Sequence, residues 1–143
     1  MNRPWTSDEG SASVELAVLT PVVLVVLAVV IAGGRIVTAH AALDTATTAA
    51  ARAASLARTA TAAHAAATTT ARDTLAQEDV HCAQPSLHID TGAFNTAPGT
   101  AGAVVVRASC TVALADLALP TMPGNIPLHS EFTSPIDPFR GRT

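Results

Sequence analysis

The sequence predicts an α+β fold in which a long N-terminal helix precedes a small C-terminal antiparallel β-sheet. Three observations support this prediction: an apolar run near the N-terminus, an alanine-rich stretch with helical spacing after it, and alternating apolar residues in the second half. The 143 residues suit one domain, and 49% are hydrophobic while only 13% are charged. The net charge of −3, with dispersed arginines, argues against nucleic acid as a partner.

The apolar run extends from Leu16 to Gly34 without a charged residue. At about 1.5 Å per residue, a helix of this length spans close to the ~30 Å hydrocarbon core of a bilayer. Residues 11–37 are therefore predicted to form a transmembrane helix. Pro21 removes one backbone donor from this helix and predicts a kink, which membrane helices tolerate when a neighbour such as Thr20 satisfies the freed group.

A cleaved secretory signal peptide is the alternative interpretation of the same run. Signal peptides have a shorter apolar core of about 7–15 residues, but a small-x-small site follows at Ala39-His40-Ala41. Cleavage there would release a secreted binding or adhesin-like domain. The mass of the mature protein distinguishes the two interpretations.

An acidic residue stands at the start of the apolar run, in the sequence GSASVE at positions 10–15. An ionised carboxylate in hydrocarbon costs roughly 2.5 kcal/mol or more, so Glu15 is a functional candidate. Cleavage after Gly10 would give Ser11 a free α-amino group. Ser11 and Glu15 would then lie at positions i and i+4 on one helix face, where their charges neutralise each other. The glycine lets a protease approach the backbone closely. The competing interpretation is an interfacial acid that only favours the positive end of the helix dipole.

Residues 10–21, GSASVELAVLTP, resemble the N-terminus of TadE-like proteins, the minor pilin or pseudopilin components of tight-adherence pilus systems. The resemblance implies a pilin-like fold, a prepilin leader over residues 1–10 and cleavage by a prepilin peptidase between Gly10 and Ser11. It also implies that Glu15 supports processing and docking to other pilin or pseudopilin subunits.

The resemblance further implies a single-pass protein of the bacterial cell membrane, with the lipid bilayer as a partner and an extracytoplasmic C-terminal domain. Residues 51–55 also resemble actinobacterial members of this family. The leader departs from the usual basic composition, because Asp8 and Glu9 accompany a single arginine, Arg3.

Residues 38–80 are predicted to form an alanine-rich helical stalk. A helix from about Val14 to Arg58 would be ~65 Å long, and a second, weaker helix follows over Thr59–Asp79. One face of the first helix contains a seam of small residues suited to close packing, and the opposite face is polar. The seam comprises Ala39, Leu43, Ala46, Ala50, Ala54 and Ala57, and the polar face comprises Asp44, Thr48, Arg52, Ser55 and Thr59. A solvated alanine-rich helix without a partner remains the alternative.

Residues 81–143 are predicted to form a small β-rich domain. Alternating apolar residues predict strands around Leu87–Asp90, over Ala103–Leu114 and over Ile126–Phe132. Glycine- and proline-containing turns separate these strands, and Ser134–Thr143 is predicted to be a polar tail.

Two cysteines, Cys82 and Cys110, are predicted to form a disulfide, as expected for a small exported domain. Together with His81 and His88 they match none of the usual zinc spacings, so no metal site is predicted. The sequence also lacks a phosphate-binding glycine loop and a paired-carboxylate site. We therefore expect neither a cofactor nor enzymatic activity.

Overall fold

The computed structural model describes residues 9–78, 80, 82–97, 99–113 and 124–139, and residues 9–13 only in their backbone. Helix α1 (Glu9–Leu56) and helix α2 (Ala60–Gln77) precede three strands, β1 (Ser86–Asp90), β2 (Gly102–Ala113) and β3 (Asn125–Ile136). A short 3-10 helix, Gly92–Asn95, lies between β1 and β2. The predicted α+β fold, with a long N-terminal helix and a C-terminal antiparallel sheet, is confirmed.

Helix α1 has 48 residues and is about 72 Å long at ~1.5 Å per residue. It ends at Leu56, and a turn of three residues leads into α2. Thr59 caps the second helix, because its hydroxyl accepts a hydrogen bond from the backbone N–H of Ala62 at 3.1 Å. The two helices therefore form an antiparallel pair, and the predicted boundary between them lies within three residues of the observed one.

The buried faces of the two helices consist mainly of alanine. On α1 and α2 the fully buried members are Ala46, Ala50, Ala51, Ala54, Ala63 and Ala67. Side chains this small let the helices approach closely, and the predicted seam is confirmed in its central part.

The buried surface of α1 is wider than the predicted seam, because α2 and the sheet contact the helix from two directions. Thr47 and Ala51, which lie outside the predicted seam, are both fully buried. Ser55, expected on the polar face, is buried, and its hydroxyl accepts a hydrogen bond from Ser134 of β3 at 3.0 Å. The prediction for Ser55 was therefore wrong.

The sheet is antiparallel in the order β1-β2-β3, and one face packs on α1. The buried residues of β2 are Val104, Val106, Ala108, Cys110 and Val112, the alternating set that the sequence predicted. Phe94, in the 3-10 helix, completes this core. Gly102 is required beneath that helix, because a Cβ there would lie 2.7 Å from the Cβ of Ala93.

Strand β3 continues beyond its predicted end, so Ser134–Ile136 is not part of a tail. Ile136 is buried and pairs with Gly102. Pro135 suggested an end to the strand, but β3 lies at the sheet edge, where proline fits if its missing N–H points away from the neighbouring strand. Leu114, the predicted end of β2, lies outside the described residues.

Cys82 and Cys110 form a disulfide, as predicted. The bond joins the segment before β1 to the buried face of β2, and Cys110 is 1% exposed. Both residues lie in a cluster of apolar residues that includes Leu43, Leu128 and, nearer the N-terminus of α1, Ala32.

Candidate membrane-spanning and assembly helix

The N-terminal part of α1 has large apolar side chains that no described part of the chain covers. Between Val14 and Ile31 these side chains are exposed by 43% to 67%. This is the one helix in the described chain that is long and apolar enough to cross a membrane, and only 6% of its most apolar window is buried. A core helix of a soluble protein would bury such a surface, so the segment needs another apolar environment.

The uncovered segment has the length of a bilayer core. Residues 14–31 extend over about 27 Å as a helix, close to the ~30 Å of a typical hydrocarbon layer. Protein contact begins at Ala32, which is 6% exposed. It lies in the same cluster as the sheet residues Ala108, Cys110, Val112 and Leu128. Val37, on another side of the helix, is still 70% exposed. The sheet therefore covers α1 on one side before the predicted transmembrane segment ends at residue 37.

Pro21 lies inside α1, and the helix continues past it. Proline has no N–H, so the carbonyl of Ala17 lacks its usual helical donor. The neighbouring hydroxyl does not replace that donor, because Thr20 Oγ1 donates to the carbonyl of Leu16 at 2.7 Å. The expected help from Thr20 therefore goes to a different carbonyl, and the kink at Pro21 stays a prediction.

The predicted processing site lies at the beginning of α1. The helix begins at Glu9, so the backbone of Gly10 and Ser11 is in its first turn. Glu15 lies one turn beyond Ser11, and its side chain is exposed. Most of the predicted leader, residues 1–8, lies outside the described residues. Cleavage after Gly10 and the role of Glu15 stay predictions.

The alternative cleavage site lies inside the packed part of the same helix. Ala39 and Ala42 are buried, and the helix continues through both. A cut after Ala41 would divide α1 within this segment. It would also remove Ala32 and Ile36 from the cluster that packs on the sheet.

The two cysteines compared above with zinc spacings are not available as metal ligands. Cys82 and Cys110 are joined to each other, and His81 lies outside the described residues. Within the parts of the chain that the structure describes, no group of three or more His, Cys, Asp or Glu side chains could hold a metal ion.

The model of the TadE-like protein family matches residues 10–52. Over this segment the chain is similar to TadE-like proteins. The TadE-like segment begins at Gly10, includes the uncovered apolar surface and ends four residues before Leu56, the end of α1. The resemblance noted on residues 10–21 is thus confirmed and extends through the alanine-rich part of the helix.

The TadE-like segment associates the chain with the tight-adherence (Tad) pilus. With one candidate membrane-spanning helix near the N-terminus, the chain fits a single-pass membrane protein of that system. No curated protein and no solved structure matches the chain.

Proposed function

We propose that the chain is a minor pilin or pseudopilin-like component of a tight-adherence pilus or a related secretion apparatus. The observation that supports this most directly is the uncovered apolar surface of residues 14–31 inside the TadE-like segment. In this proposal the surface lies in the bacterial cell membrane before assembly and against the helices of neighbouring subunits afterwards. The C-terminal domain is extracytoplasmic and reaches the cell surface in the filament.

The proposed processing step prepares α1 for docking. A prepilin peptidase cuts the peptide bond between Gly10 and Ser11 and creates a positive α-amino group at Ser11. Glu15, one helical turn away, then neutralises this charge within the same helix or in an adjacent subunit. Neutralisation lowers the cost of placing a carboxylate beside hydrocarbon, which is roughly 2.5 kcal/mol or more for an isolated charge.

The alternative function is a secreted binding domain released near residue 41. The continuity of α1 through Ala39 and Ala42 argues against it, because the cut would remove packed residues from the domain. Losing these packed residues would destabilise the domain, since a small domain has a small core and correspondingly low stability.

The proposed role is structural and does not include catalysis. The helix acts through its surface: an apolar part for lipid or neighbouring helices, and an alanine-rich part that holds the extracytoplasmic domain. Neither action needs a cofactor or a metal.

Processing can be tested on protein isolated from membranes of the producing bacterium. We expect N-terminal sequencing to give Ser11 as the first residue, and Gly10→Val to leave unprocessed precursor, because the new side chain crowds the scissile backbone. Gly33→Val is the matched control, since a Cβ at Gly33 meets no atom within 4 Å, and it should be processed normally. A mature chain that begins near Ala42, or one that retains Met1, would contradict the proposal.

The role of Glu15 can be separated from membrane insertion. Glu15→Ala removes a charge, so the helix should insert normally, while recovery of the protein in purified pilus fractions should fall. Asp44→Ala is the matched control, because Asp44 is also an exposed acid on α1 but lies beyond the apolar run. Equal recovery of the Glu15 variant and the parent protein would exclude a docking role.

A further inference from the structure

The two edges of the sheet differ in how well they can accept another strand. Strand β3 contains Pro127 and Pro135 at positions of the same parity, and each proline removes a backbone donor from that strand. Strand β1 contains no proline over Ser86–Asp90. Among the described strands β2 is its only partner, so alternate N–H and C=O groups on the other edge of β1 face away from the sheet. Such an edge can pair with an extended chain.

A groove of about 330 Å³ lies between α2 and this edge. One wall is the face of α2 that presents His64, Thr68 and Arg72 at four-residue intervals, and the opposite wall begins at Pro85 and Ser86. The floor is mainly apolar and consists of Leu43, Ala46, Ala71, Leu75, Leu87 and Ala108, with the hydroxyl residues Thr47 and Ser109 beside them. A concave, mainly apolar surface with a few polar groups at its rim is typical of binding sites.

The groove results from the alanine content of α2. Ala63, Ala67 and Ala71 hold α2 close to α1, and their side chains are too short to fill the space toward β1. Consequently Leu87, on the inner face of β1, is only half-buried. Ile89, two residues further along the same face, is buried.

We infer that the edge of β1 and this groove together bind an extended segment of a neighbouring subunit, which adds to the sheet as a fourth strand. Alternate side chains of a strand point to opposite faces, so every second side chain of the segment enters the groove. The remaining side chains lie beside His88 on the outer face. A helix or a small apolar molecule would occupy the groove without satisfying the backbone groups of β1, whereas an extended chain does both.

The charge at the rim adds a requirement on the segment. Arg72 is exposed on the wall of α2, with His64 two turns before it. The acid at the end of β1, Asp90, already accepts a hydrogen bond from the backbone N–H of Gly92 at 2.9 Å. We therefore expect a segment that alternates aliphatic and acidic residues, so that a carboxylate lies near Arg72.

The inference can be tested with full-length, disulfide-bonded protein in lipid nanodiscs and two synthetic peptides of equal composition. The first is acetyl-Val-Asp-Val-Asp-Val-amide, and the second has the same residues in blocks, acetyl-Val-Val-Val-Asp-Asp-amide. We expect the alternating peptide to bind at least about tenfold more tightly and to slow hydrogen exchange at Ser86–Asp90. Equal binding of the two peptides, or protection of β3 instead of β1, would overturn the inference.

Variants in the groove sharpen this test. Thr68→Phe fills the groove and should abolish binding, and Arg72→Glu should weaken it about threefold at low salt, as expected for an exposed charge pair. Arg52→Glu is the matched control, because Arg52 is an exposed arginine on α1 and lines no part of the groove. Unchanged helicity and melting temperature show that each variant is folded.

Tight binding by folded Thr68→Phe would overturn the inference. A concentration-dependent dimer that the alternating peptide dissociates would support the inference, with a second copy of this chain as the neighbouring subunit. Because these measurements use purified protein, their outcome does not depend on processing after Gly10, so failure here leaves the proposed function standing.

Discussion

The two parts of helix α1 both carry many apolar side chains, yet they differ in the size of those side chains. Residues 14–31 consist mainly of valine and leucine, and those side chains are largely exposed. Residues 32–56 are rich in alanine, and most of the alanines that face α2 or the sheet are buried. The larger side chains therefore lie where the described chain provides no contact, and the smaller ones lie where it packs.

The difference follows from what each part must contact. Hydrocarbon adapts to any apolar surface, so a helix in lipid gains from large side chains and needs no complementary shape. Packing against protein requires matched surfaces at interior density, and alanine lets two backbones approach closely. In this chain side-chain size therefore distinguishes the two environments, in addition to hydrophobicity.

The largest expected effect comes from removing the disulfide, which belongs to the packed part alone. Replacing Cys82 and Cys110 with alanine should lower the free energy of unfolding of the domain by roughly 3–4 kcal/mol in the chain-entropy model, since the bond closes a loop with a sequence separation of 28. Chemical denaturation in nanodiscs measures this change. Membrane insertion, measured by resistance to carbonate extraction, should not change.

Two outcomes would contradict this prediction. Free reaction of both thiols with maleimide in the unreduced exported protein would show that the bond does not form. Release of the alanine variant from the membrane would show that membrane insertion of residues 14–31 depends on the packed part of the chain.

An intermediate effect is expected from enlarging alanine in the packed part. Ala50→Leu and Ala54→Leu insert a large side chain at fully buried positions and should each cost ~1–3 kcal/mol. The same substitution at the exposed Ala17 should leave the stability of the domain within about 0.5 kcal/mol. Thr48→Leu, at a half-buried position outside the interface, should be mild. Similar losses at Ala17 and Ala50 in thermal melts would remove the distinction between the two parts of α1.

The smallest expected effect concerns the C-terminal end of α1, where Ser55 contacts strand β3. Ser134 donates to Ser55 Oγ, and Ser55 donates onward to the carbonyl of Arg52 at 2.9 Å. Ser55→Ala leaves the buried Ser134 hydroxyl without this acceptor and should cost about 1–2 kcal/mol. Ser134→Ala should cost less, because Ser55 keeps its own acceptor.

A double-mutant cycle checks this asymmetry. The variant with both serines replaced should be no less stable than Ser55→Ala alone, since no hydroxyl of the pair remains unsatisfied. The exposed Ser86–Ser109 pair, with its two hydroxyl oxygens 2.6 Å apart, is the control. Ser109→Ala should change stability by less than about 0.5 kcal/mol. Equal losses for Ser55→Ala and Ser109→Ala would contradict the role of burial.

The sequence predicted the elements whose periodicity is simple. Strand β2 follows a strict alternation from Val104 to Val112, which only a sheet with one buried face requires. The length of the apolar run likewise predicted the uncovered part of α1, and the motif around Gly10 and Glu15 predicted the family. These features are local, so no knowledge of distant neighbours was needed.

Features that depend on distant neighbours could not be predicted. Pro135 is compatible with β3 only because that strand lies at the edge of the sheet, and strand order is not encoded locally. Ser55 is buried beside Ser134, which lies 79 residues later in the sequence and donates a hydrogen bond to it. Ala32 lies in the apolar run and gave no sign that the sheet contacts it. The groove beside β1 arises from the small volume of alanines on two separate helices.

The continuity of α1 has a mechanical consequence. The helix passes without a break from Val14 to Leu56, and its packing on the sheet begins at Ala32, so no flexible joint separates the apolar end from the domain. Moving α1 along its axis by one turn therefore raises the whole domain by about 5.4 Å. Rotating α1 turns β1 and its neighbouring groove through the same angle. The axial offset between two adjacent helices thus sets the height at which their domains meet, and the relative rotation of the helices sets the orientation.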